Sequence, residues 1–277
     1  MPALRDLDAS ASPLAFFGAE LRIARLAAGL SQEQLGKRLG FSGDLVGKIE
    51  TGERKPKPEF VAACDGAFPS SNGLFARIYD LALKSGAVPA WFQEWYEAER
   101  EAASVSCWEP MLIPGLVQTP DYARALFQAW RSADNDDELD QLVSVRMARK
   151  TILDRPQPPV LWIVIDEAVL HRCIGSPRIT RGQLEHLAAL ADRPKVTIQV
   201  VPAEVGAHVG LLGAFAIATF DHGPTIVYLE SPDQGQTTDK HATVTVVSLT
   251  FDTLRAEALP RGASRNMILK VAKERWT

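Results

Sequence analysis

The chain has 277 residues, enough for two domains at about 100–200 residues each. An apolar share of 46% and a charged share of 23% exclude a fibrous, low-complexity or disordered chain. The net charge of −4 excludes a uniformly basic nucleic-acid binder, and no apolar run reaches the roughly 18–20 residues that cross a bilayer, so a cytoplasmic protein without membrane partners is expected.

Residues 1–12 are small, polar and charged without periodicity and read as a flexible leader with no apolar signal core. A helix is predicted from Leu14 to Ala28, with Phe17, Leu21, Ala24 and Ala28 on one face and Gly29 as its stop. Ser31 and Gln34 form a capping box for a second helix that turns Leu35 and Leu39 inward and ends at Gly40. Ser42 caps a third, with Val46 and Ile49 inward, closing near Gly52. A fourth begins between Pro56 and Pro58 and holds Phe60, Val61, Cys64 and Phe68. These elements define a helical domain over 13–70, followed by a helical connector over 71–104. The connector carries a tryptophan-rich face of Val88, Trp91, Trp95, Ala98 and Ala102, read as core packing with base stacking as the lesser alternative.

Residues 105–277 read as a mixed α/β domain. Thr119-Pro120-Asp121 opens a helix, and an acidic loop (134–140) leads into another through Leu142, Val145, Arg146, Arg149 and Leu153. The apolar runs 160–165 and 196–201 have the texture of strands buried on both faces. Strands over 212–220 and 225–230 flank a turn at Asp221–Pro224. Helices over 166–172, 178–192, 242–258 and 264–275 complete the pattern, the last capped by Ser264. The fold class is therefore α+β: an all-α N-terminal helix-turn-helix domain, then a mixed α/β domain.

Charge is unevenly divided. Between Leu14 and Lys57 stand eight basic residues (Arg22, Arg25, Lys37, Arg38, Lys48, Arg54, Lys55 and Lys57) against five acids, an excess of three positive charges on a body that is otherwise −7. Such a head can dock on DNA while the rest repels it. Two short helices joined by Gly40-Phe41 cannot each bury a face alone; packed together they project the second toward a major groove about 12 Å wide. Gln32 opens the first of them, where backbone donors and the helix dipole favour a phosphate.

On Gln32, Leu35, Gly40, Ser42, Val46, Ile49-Glu50 and Gly52, the segment resembles the Cro/phage-repressor-like helix-turn-helix family, also called the xenobiotic-response-element family. Gly36 stands where that family usually has Ala. The resemblance implies that Gln32, Ser42, Arg54 and Lys55 hold phosphates of double-stranded DNA, and that Gly43, Asp44, Gly47 and Lys48 face base edges. Glycines read no bases through side chains, so direct readout falls to Lys48, a donor for guanine, and Asp44, an acceptor for cytosine. Glu50 reads as structural.

The segments WEPMLIPGLVQTPDYARAL, VRMARKTIL, LWIVIDEAVL, QLEHLAALADRPKVTIQVVP and FDTLRAEAL are similar to the large C-terminal domain of actinobacterial WhiJ-type regulators, with Lys150 where that family more often has Gln. That resemblance implies a transcription regulator, sometimes antitoxin-like, paired with a small acidic protein.

No nucleophile elbow, zincin motif, paired Cys-x-x-Cys or phosphate-cradling loop is present, so no enzyme, cofactor or metal site is expected. Cys64, Cys107 and Cys173 are odd in number and far apart, which fits reduced thiols. Gln118, Tyr122, Arg146, Arg149, Asp166, Glu167 and His208 are the candidates for an effector or partner pocket, each with packing, capping or salt-bridging as its plainer account. The expected protein is a homodimeric repressor on an imperfect palindrome, answering to a small molecule or a small acidic partner. The runner-up is an antitoxin-like partner-binding protein with autoregulatory DNA binding.

Overall fold

The computed structural model describes residues 9, 12–86, 88–130, 136–231 and 234–276. The expected leader and the first part of the acidic loop lie largely outside the described residues; Asp136, Asp137 and Glu138 form the first turn of a helix. Two compact units divide the chain, Met1–Ala87 and Val88–Thr277.

The first unit holds α1 (Pro13–Ala27), α2 (Gln32–Leu39), α3 (Gly43–Glu50), α4 (Pro58–Ala67) and α5 (Leu74–Gly86). Ser12, Ser31 and Ser42 each accept a hydrogen bond from the backbone N–H three residues on, and Ser31 with Gln34 completes the reciprocal box. Gly29, Gly40 and Gly52 adopt the left-handed backbone that ends a helix. Phe17, Leu21, Leu35, Leu39, Val46, Ile49, Phe60 and Cys64 share one core with Phe75 and Ile78 of α5. Residues 71–86 are thus part of the helical unit rather than a connector, because α5 buries its apolar face against α1 and α4.

The second unit begins with α6 (Ala90–Glu101), whose Trp95 and Ala98 enter the large core, as expected of packing residues. β1 (Ser104–Glu109), α7 (Pro120–Ala129), α8 (Asp136–Arg149), β2 (Val160–Asp166), α9 (Glu167–His171), α10 (Pro177–Leu190) and β3 (Val196–Val201) follow. Then come β4 (Phe215–Thr219), β5 (Ile226–Leu229), β6 (Gln236–Thr238), α11 (His241–Glu257) and α12 (Arg261–Glu274). The described residues form a six-stranded sheet in the order β3-β2-β1-β4-β5-β6. β1, β2 and β3 are parallel, with Cys107 opposite Ile163 and Ile163 opposite Ile198; β4, β5 and β6 run antiparallel to their neighbours.

Strand alternation sorts the side chains onto two buried faces. Val105, Cys107, Leu161, Ile163, Ile198, Val200 and Ala218 join the core shared with α7, α10 and α12. Trp108, Val164, Val201, Phe215, Ile217 and Val227 join the core under α11. This two-sided cover explains the continuous apolar runs of β2 and β3. Ser264 caps nothing, contrary to expectation. α12 starts three residues earlier, and the buried Ser264 hydroxyl donates to the Leu259 carbonyl and accepts from the Val200 N–H, sealing the outer edge of β3.

Candidate nucleic-acid interface

A buried ion pair fixes α3. The Glu50 carboxylate accepts from Arg25 at 2.5 and 2.9 Å and from the Gln32 amide at 2.9 Å, and Arg25 also donates to the Leu30 carbonyl at 2.8 Å. One carboxylate therefore ties α1, α2 and α3 together. Its hydrogen bonds hold the Arg25 guanidinium charged, raising its pKa against the lowering effect of burial. Arg25 belongs to the interior and leaves the basic surface; because Glu50 leaves with it, the positive excess of the segment is unchanged.

The glycines of this unit are where helices meet. A Cβ on Gly18 would lie 2.6 Å from the Ile49 carbonyl oxygen, so α1 rests directly on the end of α3. A Cβ on Gly36 would lie 2.7 Å from the Ser42 carbonyl carbon, which accounts for glycine where the related pattern has alanine. A Cβ on Gly43 would fall 2.8 Å from Glu33 Cα, and one on Gly47 would fall 3.2 Å from the Gln32 side-chain oxygen. Gly43 and Gly47 thus turn toward α2 rather than toward a base edge, which corrects the expectation for both. They let the first turns of α2 and α3 lie side by side.

What α3 presents to solvent is Asp44 and Lys48, whose side chains are 73% and 46% exposed and paired at 2.7 Å one turn apart. Beside them Ser42 is exposed at the helix N-terminus, its oxygen accepting from Leu45 N–H. A groove of about 290 Å³ runs along this edge, lined by Ser42, Asp44, Arg54, Lys55 and Lys57 over a floor of Phe41 and Phe60. Arg54 is set there by its backbone N–H, which donates to the Lys48 carbonyl at 3.1 Å. Gln32 sits over α3 with one amide hydrogen given to Glu50. Ser42, Asp44, Lys48, Arg54 and Lys55 therefore cluster along one edge, and a hydroxyl, a helix start and a short basic run converge on a single helix small enough for a major groove.

The second unit separates its candidates onto the two faces of the sheet. On one face Gln118 is buried, donating to the Ile113 carbonyl at 2.7 Å and accepting from Arg146 at 2.9 Å; the Tyr122 hydroxyl accepts from Ile113 N–H at 3.3 Å. Arg149 makes two parallel bonds of 2.8 Å to Glu99. Both guanidinium groups crowd Gly115, where a Cβ would lie 2.8 Å from Arg146 and 3.1 Å from Arg149. Burial, with the neighbouring Glu230 carboxylate, pushes Glu109 up to about 8 against the pull of Arg146 and Arg149, and burial beside Arg149 brings Arg146 down to about 10. Gln183, missed in the sequence, pins the same loop by accepting from Thr119 N–H at 2.6 Å and donating to the Val117 carbonyl at 2.9 Å. Lys150 donates to the Gln118 carbonyl at 3.1 Å.

On the other face Asp166 caps α9 through Ala168 N–H at 2.8 Å and holds His208 Nε2 at 3.1 Å. Glu167 accepts from Ala203 N–H at 2.9 Å. His208 Nδ1 accepts from Gly210 N–H at 3.2 Å, so the ring proton sits on Nε2, facing the Asp166 carboxylate. Asp166, Glu167 and His208 thus hold loops in place. Among the described residues no group of three or more His, Cys, Asp or Glu side chains is placed to hold a metal ion, and no helix is long and apolar enough to cross a membrane.

The N-terminal geometry defines a helix-turn-helix DNA-binding module of the regulator class, and residues 17–68 match the family model described as a helix-turn-helix domain. Residues 92–270 match the model described as a domain of unknown function (DUF5753), and the chain belongs to that family. No curated protein and no solved structure matches the chain.

Proposed function

We propose that the protein is a dimeric, sequence-specific transcription repressor of the WhiJ type. Its α3 reads one major-groove half-site, and its C-terminal unit receives the signal, from a small molecule or a small acidic protein. The carrying observation is the exposed Asp44–Lys48 pair on a short helix whose rim holds Ser42, Arg54 and Lys55. Lys48 donates to guanine O6 or N7 and Asp44 accepts from cytosine N4 once the contact between them opens. Ser42, Arg54, Lys55 and the remaining amide hydrogen of Gln32 hold the backbone. Two such heads take half-sites one helical turn apart on an imperfect palindrome.

The C-terminal unit works by binding rather than by catalysis. Its conspicuous acids and histidine are engaged in caps and loop anchors, and Arg146 and Arg149 are engaged with Gln118 and Glu99. Fluorescence anisotropy with the protein's own promoter region tests the reading. Selective binding at moderate salt over scrambled duplex of the same length is expected; equal affinity for both overturns it.

A further inference from the structure

The carboxyl ends of β1 and β5 gather charges that DNA reading does not use. The chain winds outward from β1 through β2 to β3, then returns to the other side of β1 for β4, β5 and β6. A sheet that reverses its winding in this way leaves a crevice beyond its strand ends, where ligands settle. Register decides what lies there. Trp108, Phe215, Leu229 and Gln236 stand opposite one another across β1, β4, β5 and β6. One residue further on, Glu109, Ala214, Glu230 and Gly235 come side by side, and the Glu230 N–H donates to the Ala214 carbonyl at 3.1 Å. Alternation puts this row on the same face as Cys107 and Tyr228.

The middle of that face is low. β4 shows it only Ala214, Ala216 and Ala218, while Glu109 and Glu230 stand two strand spacings apart, about 10 Å. Ala218 is sealed, but Ala214 and Ala216 are only partly buried, so solvent enters a trough between the two glutamates. Tyr228 walls it, with Trp91 stacked on the ring at 6.5 Å and Phe92 edge-on at 5.3 Å.

The remaining charges come from α6 and α8. Glu99 and Arg149 cancel each other in their parallel bonds. Arg146 gives one N–H to Gln118 and rests 5.0 Å from the centre of the Phe127 ring, and it forms no ion pair among the described residues. Glu230 accepts from the Tyr228 hydroxyl, whereas no donor among the described residues reaches the Glu109 carboxylate. In the adjoining row the Thr237 hydroxyl is buried with no partner among the described residues. Two ionised glutamates against Arg146 leave one negative charge unbalanced, which burial makes costly. The same burial raises the proton affinity of both carboxylates.

We propose that this trough binds a small organic ammonium. The amine lies between Glu109 and Glu230, an acceptor oxygen of the same molecule takes Arg146, and the carbon skeleton lies over Ala214 and Ala216 beside Tyr228. Charge selects the ligand. An anion on Arg146 would meet both glutamates, and a neutral molecule would leave their charge unbalanced. As the seat of the signal the trough rests on the regulator reading above; as a binding site it does not.

Isothermal titration calorimetry on the full chain tests this at pH 8, where the folded Glu109 titrates and a primary amine, with a pKa of about 10, keeps its charge. Ethanolamine, ethylene glycol and glycolate share one small skeleton and differ in charge. Ethanolamine is expected to bind about tenfold or more tighter than either of the others. Glu109→Gln and Glu230→Gln should each weaken it about tenfold, with circular dichroism showing each variant folded. Ala216→Val, which fills the trough without touching a charge, should do the same. Equal binding of the three probes, tighter binding of glycolate, no binding of ethanolamine, or ethanolamine binding retained in both glutamine variants overturns the site and leaves the DNA reading standing. The titrations contain no DNA, so ethanolamine binding by a chain that fails the anisotropy test would keep the site and lose the regulator.

Discussion

The two units solve the problem of buried charge in different ways. In the N-terminal unit one carboxylate, Glu50, takes a guanidinium and an amide from two other helices, and among the described residues of that unit little else polar is buried. In the C-terminal unit Arg149 and Glu99 are paired, but Arg146 and Glu109 lie near them with altered proton affinities, and glutamines pin the adjoining loop. The first arrangement stiffens a helix-turn-helix unit that carries Asp44 and Lys48 on its outside. The second keeps its charge inside, where pH and neighbouring charges change the balance of the fold.

The largest effect expected from this contrast is on the head. Glu50→Ala strands Arg25 in the interior and should cost about 3–5 kcal/mol. Urea unfolding should show the loss in the helical unit, with DNA binding abolished and the C-terminal transition unmoved. A single shifted transition common to both units would break the distinction between them. Next, Lys48→Ala should cost about 1–3 kcal/mol of binding at one base pair and relax selectivity there, read by titrating duplexes that vary that position. Gly43→Ala, which drives a Cβ toward the Glu33 backbone, should destabilise the helical unit by about 1–3 kcal/mol. A neutral result would return position 43 to the outer face.

In the C-terminal unit, Glu109 has a folded pKa raised to about 8 from an ordinary 4.5, so folding favours its protonated form. That stabilisation is present below about pH 4.5 and is lost as pH rises toward 8, because the unfolded chain ionises first. Glu109→Gln should therefore raise the melting temperature by several degrees at pH 8 and leave it nearly unchanged at pH 4, below the unfolded pKa, as calorimetry would show. The smallest effect is Lys55→Ala, expected to weaken all duplexes alike and flatten the salt slope by about one.

Much of the reading head is written locally. Ser31 with Gln34, Ser42, and glycines 29, 40 and 52 are short-range signals, and each stands where its cap or stop should be. What long-range packing decides was not legible. Arg25 looks like any surface base until Glu50 is found beside it, and Gly43 and Gly47 look like empty contact positions until α2 is laid against them. β1 escaped notice because Ser104, Ser106 and Cys107 favour strands weakly, and its place between β2 and β4 is a tertiary decision. β6 is three polar residues at an edge, and its pairing with β5 is not encoded nearby. Of the pocket candidates, residue type was visible, but their division between opposite sheet faces depends on strand order.

The most direct test of α3 as a reading element is selection from a random duplex pool with wild type and Lys48→Ala in parallel. Wild type should enrich an imperfect palindrome with half-site centres about one helical turn apart, and the variant should return the same site with preference lost at one position in each half. Absence of any enriched sequence, or identical sites from both proteins, would contradict the claim.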